Sequence, residues 1–233
     1  MPQQTDTTEK GLESLITNYL EKENEFVVRE FDKYNRTDCV DEDMLFKFLK
    51  DTQSEEFDKL QAIHGSSFRE KIIYRLNNRI KAEGIIEVLR KGITDTNVKL
   101  KLFYDKPVSD DNEKDQEQYS KNIFSVTRQV HYSLKNENSL DIVIFINGLP
   151  AITFELKNEL TKQDVKDAIK QYKTSRDPRE ELFRLGRCIV HFAVDTDQVW
   201  MCTHLKADKS YFLPFNKVYN HGAGNPPNPS GIK

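Results

Sequence analysis

The chain has 233 residues, of which 35 are Lys or Arg and 38 are Asp or Glu, for a net charge of −3. A chain of this length buries about 70% of its unfolded surface, enough for one large domain or two small ones. With 37% hydrophobic and 31% charged residues it reads as soluble and globular, and no apolar run reaches the length of a membrane span. The opening MPQQTDTTEKG is polar and lacks the apolar core of a secretory signal. Cys39, Cys188 and Cys202 are odd in number and form no C-x-x-C pair. They point to a reducing cytoplasm, with the cysteines as small core residues rather than a disulfide frame or zinc site.

Residues 11–23 place Leu12, Leu15, Ile16, Tyr19 and Leu20 at helical spacing, which predicts an amphipathic first helix with Glu13 on a different stripe. Residues 41–49 and 54–63 predict two short helices anchored by Phe46, Phe48 and Phe57. Residues 68–90 predict a longer helix with a Ser67–Glu70 capping box. Its stripe of Ile72, Ile73, Leu76, Ile80 and Leu89 is expected to pack on a sheet, with Gly84 as a weak point. From Val98 the period changes to two, predicting a strand that ends near Pro107, and residues 109–119 read as an acidic, exposed loop. Phe124, Val126, Arg128, Val130 and Tyr132 then form one strand face, from which Arg128 can reach either a phosphate or a carboxylate.

The stretch SLDIVIFINGLPAITFELK, residues 139–157, organises the rest. Two apolar runs flank Asn147-Gly148, a dipeptide suited to positive φ, and predict a β-hairpin. Strand alternation puts Glu155 and Lys157 on one face. A three-residue loop, Asn147-Gly148-Leu149, would set Ile146 opposite Pro150 and Asp141 opposite Glu155. Asp141, Glu155 and Lys157 then share a face, while Ile142, Ile144, Ile146, Ile152, Phe154 and Leu156 share the other. Two carboxylates and a lysine so placed suit metal-dependent phosphodiester hydrolysis. The carboxylates hold Mg²⁺, with Mn²⁺ as its substitute, and the lysine offsets charge growing on the phosphate.

After the hairpin, Thr161 and Asp164 are expected to cap a helix with Val165, Ala168, Ile169 and Tyr172 inward. Lys162, Lys166, Lys170 and Lys173 recur along it as a basic ridge for DNA phosphates, and Gln171 can orient a ligand or remain an ordinary surface residue. Charge is uneven in the same sense. Residues 1–60 carry 16 acidic and 8 basic side chains, whereas residues 157–191 carry 9 basic and 6 acidic, so a polyanion is drawn to the second segment. Residues 188–194 and 199–203 predict a second hairpin; its His191 and the nearby His204 read as strand polar groups rather than zinc ligands. The terminal GAGNPPNPSGIK reads as a linker. The expected fold is an α/β sandwich, divided into a helical part (1–95), a core (96–213) and a linker cut from a longer chain (214–233).

The words DIVIFINGLP, ITFELKNE and QDVKDAIKQYK, with the opening LESLITNYLEKENEF, the VTRQVHY strand, CIVHFAVDTDQVWMCT and FLPFNKVYNHGAGNPPNP, carry a resemblance over most of the chain. The chain resembles the N-terminal nuclease domain of the restriction subunit of type I restriction–modification enzymes, a branch of the PD-(D/E)xK nucleases. The resemblance implies a mixed sheet flanked by helices and a catalytic triad at Asp141, Glu155 and Lys157, with Asp141 and Glu155 as metal ligands. It also implies an accessory role for Glu13, since related nucleases place a first-helix glutamate near the metal, whereas its own stripe on the helix reads as an ordinary surface charge. The family's Gln-x-x-x-Tyr motif is not kept, because Ser175 stands four residues after Gln171. No GxxxxGK[ST] loop is present, so ATP belongs to the full-length subunit, in an implied translocase that assembles with methyltransferase and specificity subunits on double-stranded DNA. Two other readings stay open: a non-catalytic docking module linking a translocase to its partners through the acidic N-terminal helices, and a DNA-binding module with a decayed site.

Overall fold

The computed structural model describes residues 9–108, 112–158 and 162–215. Helix α1 (Glu9–Asn24) leads into β1 (Val27–Arg29) and a ribbon of β2 (Tyr34–Asn35) and β3 (Val40–Asp41). The Asp41 side chain caps α2 (Glu42–Thr52) by accepting the Met44 N–H, and α3 (Ser54–His64) follows. The single helix expected over 68–90 is two, α4 (Phe68–Glu83) and α5 (Ile85–Lys91), broken at Gly84, whose φ is 80°. The Ser67–Glu70 capping box does not form. Ser67, at φ −88° and ψ 7°, ends a 3₁₀ turn and lacks the extended backbone that turns an N-cap side chain toward the helix.

β4 (Ile93–Asp95) and β5 (Val98–Leu100) pair as a hairpin, so the strand expected to reach Pro107 stops at Leu100. The expected acidic loop contains a helix, α6 (Glu113–Ser120), which starts where Asn112 accepts the Asp115 N–H. Residues 109–111 of that stretch, the Thr161 cap and the 216–233 part of the expected linker lie outside the described residues. The remaining elements are β6 (Phe124–His131), β7 (Ser139–Ile146), β8 (Leu149–Leu156), α7 (Val165–Thr174), β9 (Val190–Val194), β10 (Val199–Cys202) and β11 (Leu213–Pro214). Helix α7 begins at a capping box made by Asp164 and Asp167.

Seven strands form one mixed sheet in the order β1-β6-β7-β8-β9-β10-β11. β1 runs parallel to β6 and β8 parallel to β9, the latter joined through α7; the other neighbours are antiparallel. On one face Leu12, Ile16 and Leu20 of α1 pack over Val126, Ile142, Ile144 and Leu156. On the other, Val165, Ala168 and Tyr172 of α7 pack over Val143, Phe145 and Ala193. With both faces covered, the α4 stripe does not lie across the sheet as expected. Ile72, Ile73, Leu76 and Ile80 build a separate core with Phe46, Phe48, Leu60 and Leu100 of α2, α3 and β5, which only Leu149 and Ile146 of the hairpin join.

The central hairpin docks by its tip on that helical core. Asn147 and Gly148 have φ of 50° and 81°, a two-residue turn whose twist suits the strands. Asn147 is fully buried; its side chain donates to Leu102 O (2.9 Å) and Asn122 Oδ1 (3.1 Å) and accepts the Ile123 N–H (2.6 Å). Gly148 O accepts the Asp41 N–H at 2.9 Å, and a Cβ on Gly148 would lie 2.4 Å from Asp41 O and 2.6 Å from Leu45 N. Gly148→Ala therefore meets both a left-handed backbone and a backbone clash, and should destabilise the chain by about 3 kcal/mol in urea unfolding. An unchanged midpoint would show that the tip is free to move.

Candidate active site

Register places the two carboxylates side by side. The turn closes Ile146 on Leu149 and Phe145 on Pro150, and then the pairing shifts so that Ile144 faces Ile152 and Ile142 faces Phe154. The extra residue is Ala151, a β-bulge on β8. The three-residue loop expected from sequence is thus a two-residue turn followed by a bulge. The net slip is the same, and one step beyond Ile142 and Phe154 the ladder brings Asp141 to Glu155. Ile142, Ile144, Ile152, Phe154 and Leu156 share the α1 face as expected, while Ile146 joins the helical core.

Asp141 stands where the β7–β8 ladder ends. Its Oδ2 accepts the Leu156 N–H at 2.6 Å, so a side chain does the work of a strand carbonyl, and its Oδ1 lies 3.5 Å from Gln129 Nε2. Glu155 is fully buried; Oε1 accepts from Arg176 Nε at 2.6 Å, and Oε2 has no hydrogen-bond partner among the described residues. Lys157 is 8% exposed; its N–H donates to Val194 O and its Nζ lies 3.2 Å from Glu9 Oε1. Burial raises the Asp141 carboxyl to about 6, against the Leu156 N–H and the Lys157 charge, which lower it. Burial and the neighbouring Asp141 charge raise Glu155 to about 8, opposed by Arg176 and Lys157. Both carboxyls therefore hold their protons more tightly than in water unless further positive charge arrives.

Helix α1 reaches this cluster from one face. Glu13 is 2% exposed and accepts from Arg128 Nε (3.1 Å) and Gln129 Nε2 (2.8 Å). Gln129 thereby bridges Glu13 and Asp141, helped by a φ of 50° at a kink in β6. The kink also divides the five residues expected on one strand face, since Val126 packs on the α1 side and Val130 and Tyr132 on the α7 side. Of the two partners open to Arg128, a phosphate or a carboxylate, it takes a carboxylate, Glu13.

Arg176, two residues beyond α7, reaches the cluster from the other face. Besides Glu155 it donates to Tyr132 Oη (3.2 Å) and Ser139 O (2.7 Å). Beneath it Tyr172 Oη and Thr153 Oγ1 are 2.8 Å apart, and Thr153 is 2.8 Å from His191 Nδ1. Burial lowers His191 to about 3, so it stays neutral within this network. Lys162, Lys166 and Lys170 are exposed and Lys173 half-buried. Among the described residues no side-chain hydrogen bond joins Gln171 to the cluster.

Sequence reasoning did not find Arg176, Gln129 or Glu9. Arg176 follows a helix end in an ordinary polar stretch, Gln129 depends on a kink that breaks strand alternation, and Glu9 pairs with a lysine 148 residues away. The donor chemistry fits a divalent cation. Among the described residues Glu155 Oε2 is a buried acceptor without a donor, and Glu9, Glu13, Asp141 and Glu155 outnumber Arg128, Lys157 and Arg176 by one formal charge. Among the described residues no three His, Cys, Asp or Glu side chains form a ready cage. A hard cation that keeps several waters needs only one or two carboxylates.

Comparison with known proteins gives the chain its kinship. Over an 80-residue segment, 33% of this chain, it is 34% identical to a Methanocaldococcus jannaschii protein provisionally named as the type I restriction enzyme MjaIXP endonuclease subunit. Over 79 residues, 34% of this chain, it is 35% identical to the type I restriction enzyme HindI endonuclease subunit of Haemophilus influenzae. The matches span only 8% and 7% of those much longer relatives. The family described as type I restriction enzyme R protein N terminus matches residues 5–210, nearly the whole of the chain. The chain belongs to that family.

Proposed function

We propose that this chain is a metal-dependent DNA endonuclease domain of the PD-(D/E)xK kind, cutting phosphodiester bonds without sequence readout of its own. The observation that carries the reading is the pair Asp141 and Glu155, brought together at the end of one hairpin with Lys157 beside them and a Glu155 oxygen that has no partner among the described residues. Asp141 and Glu155 would hold Mg²⁺ or Mn²⁺. When bound, such an ion polarises a phosphoryl oxygen and acidifies water. Leu156 N–H and Arg176 orient the two carboxylates, each by a 2.6 Å bond to one oxygen; the other oxygens, Glu155 Oε2 and Asp141 Oδ1 with its long 3.5 Å contact from Gln129, would take the ligand. Lys157 supplies positive charge where the phosphorane-like transition state gathers negative charge. A substrate phosphate competes with Glu9 for it.

The DNA partner follows from the same reading. Lys162, Lys166 and Lys170 stand exposed before and along α7, and with Lys173 they suit backbone contacts that position without specifying. Sequence choice then falls to specificity and methyltransferase subunits, and ATP-driven translocation to the rest of a longer R subunit, in the cytoplasm. Among the described residues no helix is long and apolar enough to cross a membrane.

In the assembled enzyme, Lys157→Ala and Asp141→Asn should each lower DNA cleavage about 100-fold or more while leaving assembly intact. Undiminished cutting by either variant refutes the assignment. A second expectation concerns pH. A carboxyl whose pKa rises on folding binds its proton more tightly in the folded chain, so stability is lost as pH climbs from the unfolded value to the folded one. For Glu155 that window runs from about 4.5 to about 8. In chelator, the melting temperature of the wild-type chain should fall relative to Glu155→Gln across this window, and saturating Mn²⁺ should reverse the trend. Parallel curves in chelator would contradict it.

A further inference from the structure

The surroundings of Glu155 bear on how many cations the site admits. We infer that it takes one divalent cation, with Arg176 fixed where a second would ligate; the inference rests on the metal-dependent reading above. Two-metal sites hold their ions about 4 Å apart and need carboxylates that offer both oxygens to the pair. Here each acid has one oxygen committed to the protein. Glu155 Oε1 accepts from Arg176 at 2.6 Å, leaving Oε2, and Asp141 Oδ2 accepts the Leu156 N–H at 2.6 Å, leaving Oδ1 with only the long 3.5 Å contact from Gln129 Nε2. The third buried acid offers no second set, because Glu13 Oε1 and Oε2 accept from Gln129 and Arg128.

Arg176 is not a mobile surface group that a cation could push aside. It is 6% exposed, and its guanidinium sits 5.5 Å from the Tyr132 ring centroid while donating to Tyr132 Oη and Ser139 O. Moving it would strand a buried hydroxyl, a carbonyl and a carboxylate oxygen together. Left in place, its charge repels a dication at Oε1. The guanidinium thus provides, as a permanent part of the fold, the positive charge that a second metal brings to other phosphodiesterases.

The test is Mn²⁺ binding to the full chain, counted by electron paramagnetic resonance of free Mn²⁺ and checked by equilibrium dialysis. The wild-type chain should bind one ion, and Arg176→Lys, which keeps a buried positive charge, should also bind one. Arg176→Met, which frees Glu155 Oε1 and removes the repulsion, should bind two, the second at least tenfold more weakly. Two ions on the wild-type chain overturn the inference whether or not the Met variant folds. One ion on a cooperatively folding Arg176→Met overturns the role given to Arg176. Asp141→Asn separates this from the broader reading. No binding by the wild-type chain, or binding that Asp141→Asn leaves unchanged, removes the metal site itself and this inference with it.

Discussion

A carboxylate sealed inside a β-sheet is the constraint to which the molecule answers. Glu155 has no exposed surface, and a charge so placed costs several kcal/mol unless it is paired and hydrogen-bonded. Half of the compensation is present in the bond from Arg176, and half is missing, since Oε2 has no partner among the described residues. The same imbalance runs through the wider cluster, where Arg128, Lys157 and Arg176 answer four carboxylates. These charges come from both sides of the sheet. α1 delivers Glu9 and Glu13 from one face, and the segment after α7 delivers Arg176 from the other. A site assembled from opposite layers is rigid only if both layers pack, which links its chemistry to the two cores that cover the sheet.

The helical part between α2 and α5 contributes no residue to this cluster, yet it holds the register that creates it. Its core receives Leu149, its capping residue Asp41 bonds to Gly148, and the loops around it bury Asn147. With the turn anchored, the bulge at Ala151 supplies the one-residue offset that puts Asp141 and Glu155 opposite each other. A slip of one residue would send the two carboxylates to opposite faces.

What sequence made legible was local. Alternation in residues 139–157 is enough to separate Glu155 and Lys157 from Ile152, Phe154 and Leu156. The chemistry of Asp141, Glu155 and Lys157 follows from residue type, aided by family resemblance. The offset was anticipated for a different local reason, because a three-residue loop and a two-residue turn with a bulge give the same slip, and only tertiary contact at Gly148 chooses between them. Glu13 looked like a bystander because its stripe on α1 is polar, and burial came from Arg128 and Gln129 more than 110 residues away. Arg176 left no local trace. The division of the 68–90 helix at Gly84 turns on a close approach to Gly186, and the α4 stripe found another core because the sheet was already covered.

The central claim is that Asp141 and Glu155 together hold one divalent cation. Anomalous diffraction from crystals of this chain soaked in Mn²⁺ tests it most directly. A single peak about 2 Å from Asp141 Oδ1 and Glu155 Oε2, with Arg176 still on Oε1, is the result the account predicts. A peak confined to other residues, or no peak between these two carboxylates at saturating Mn²⁺, would contradict it.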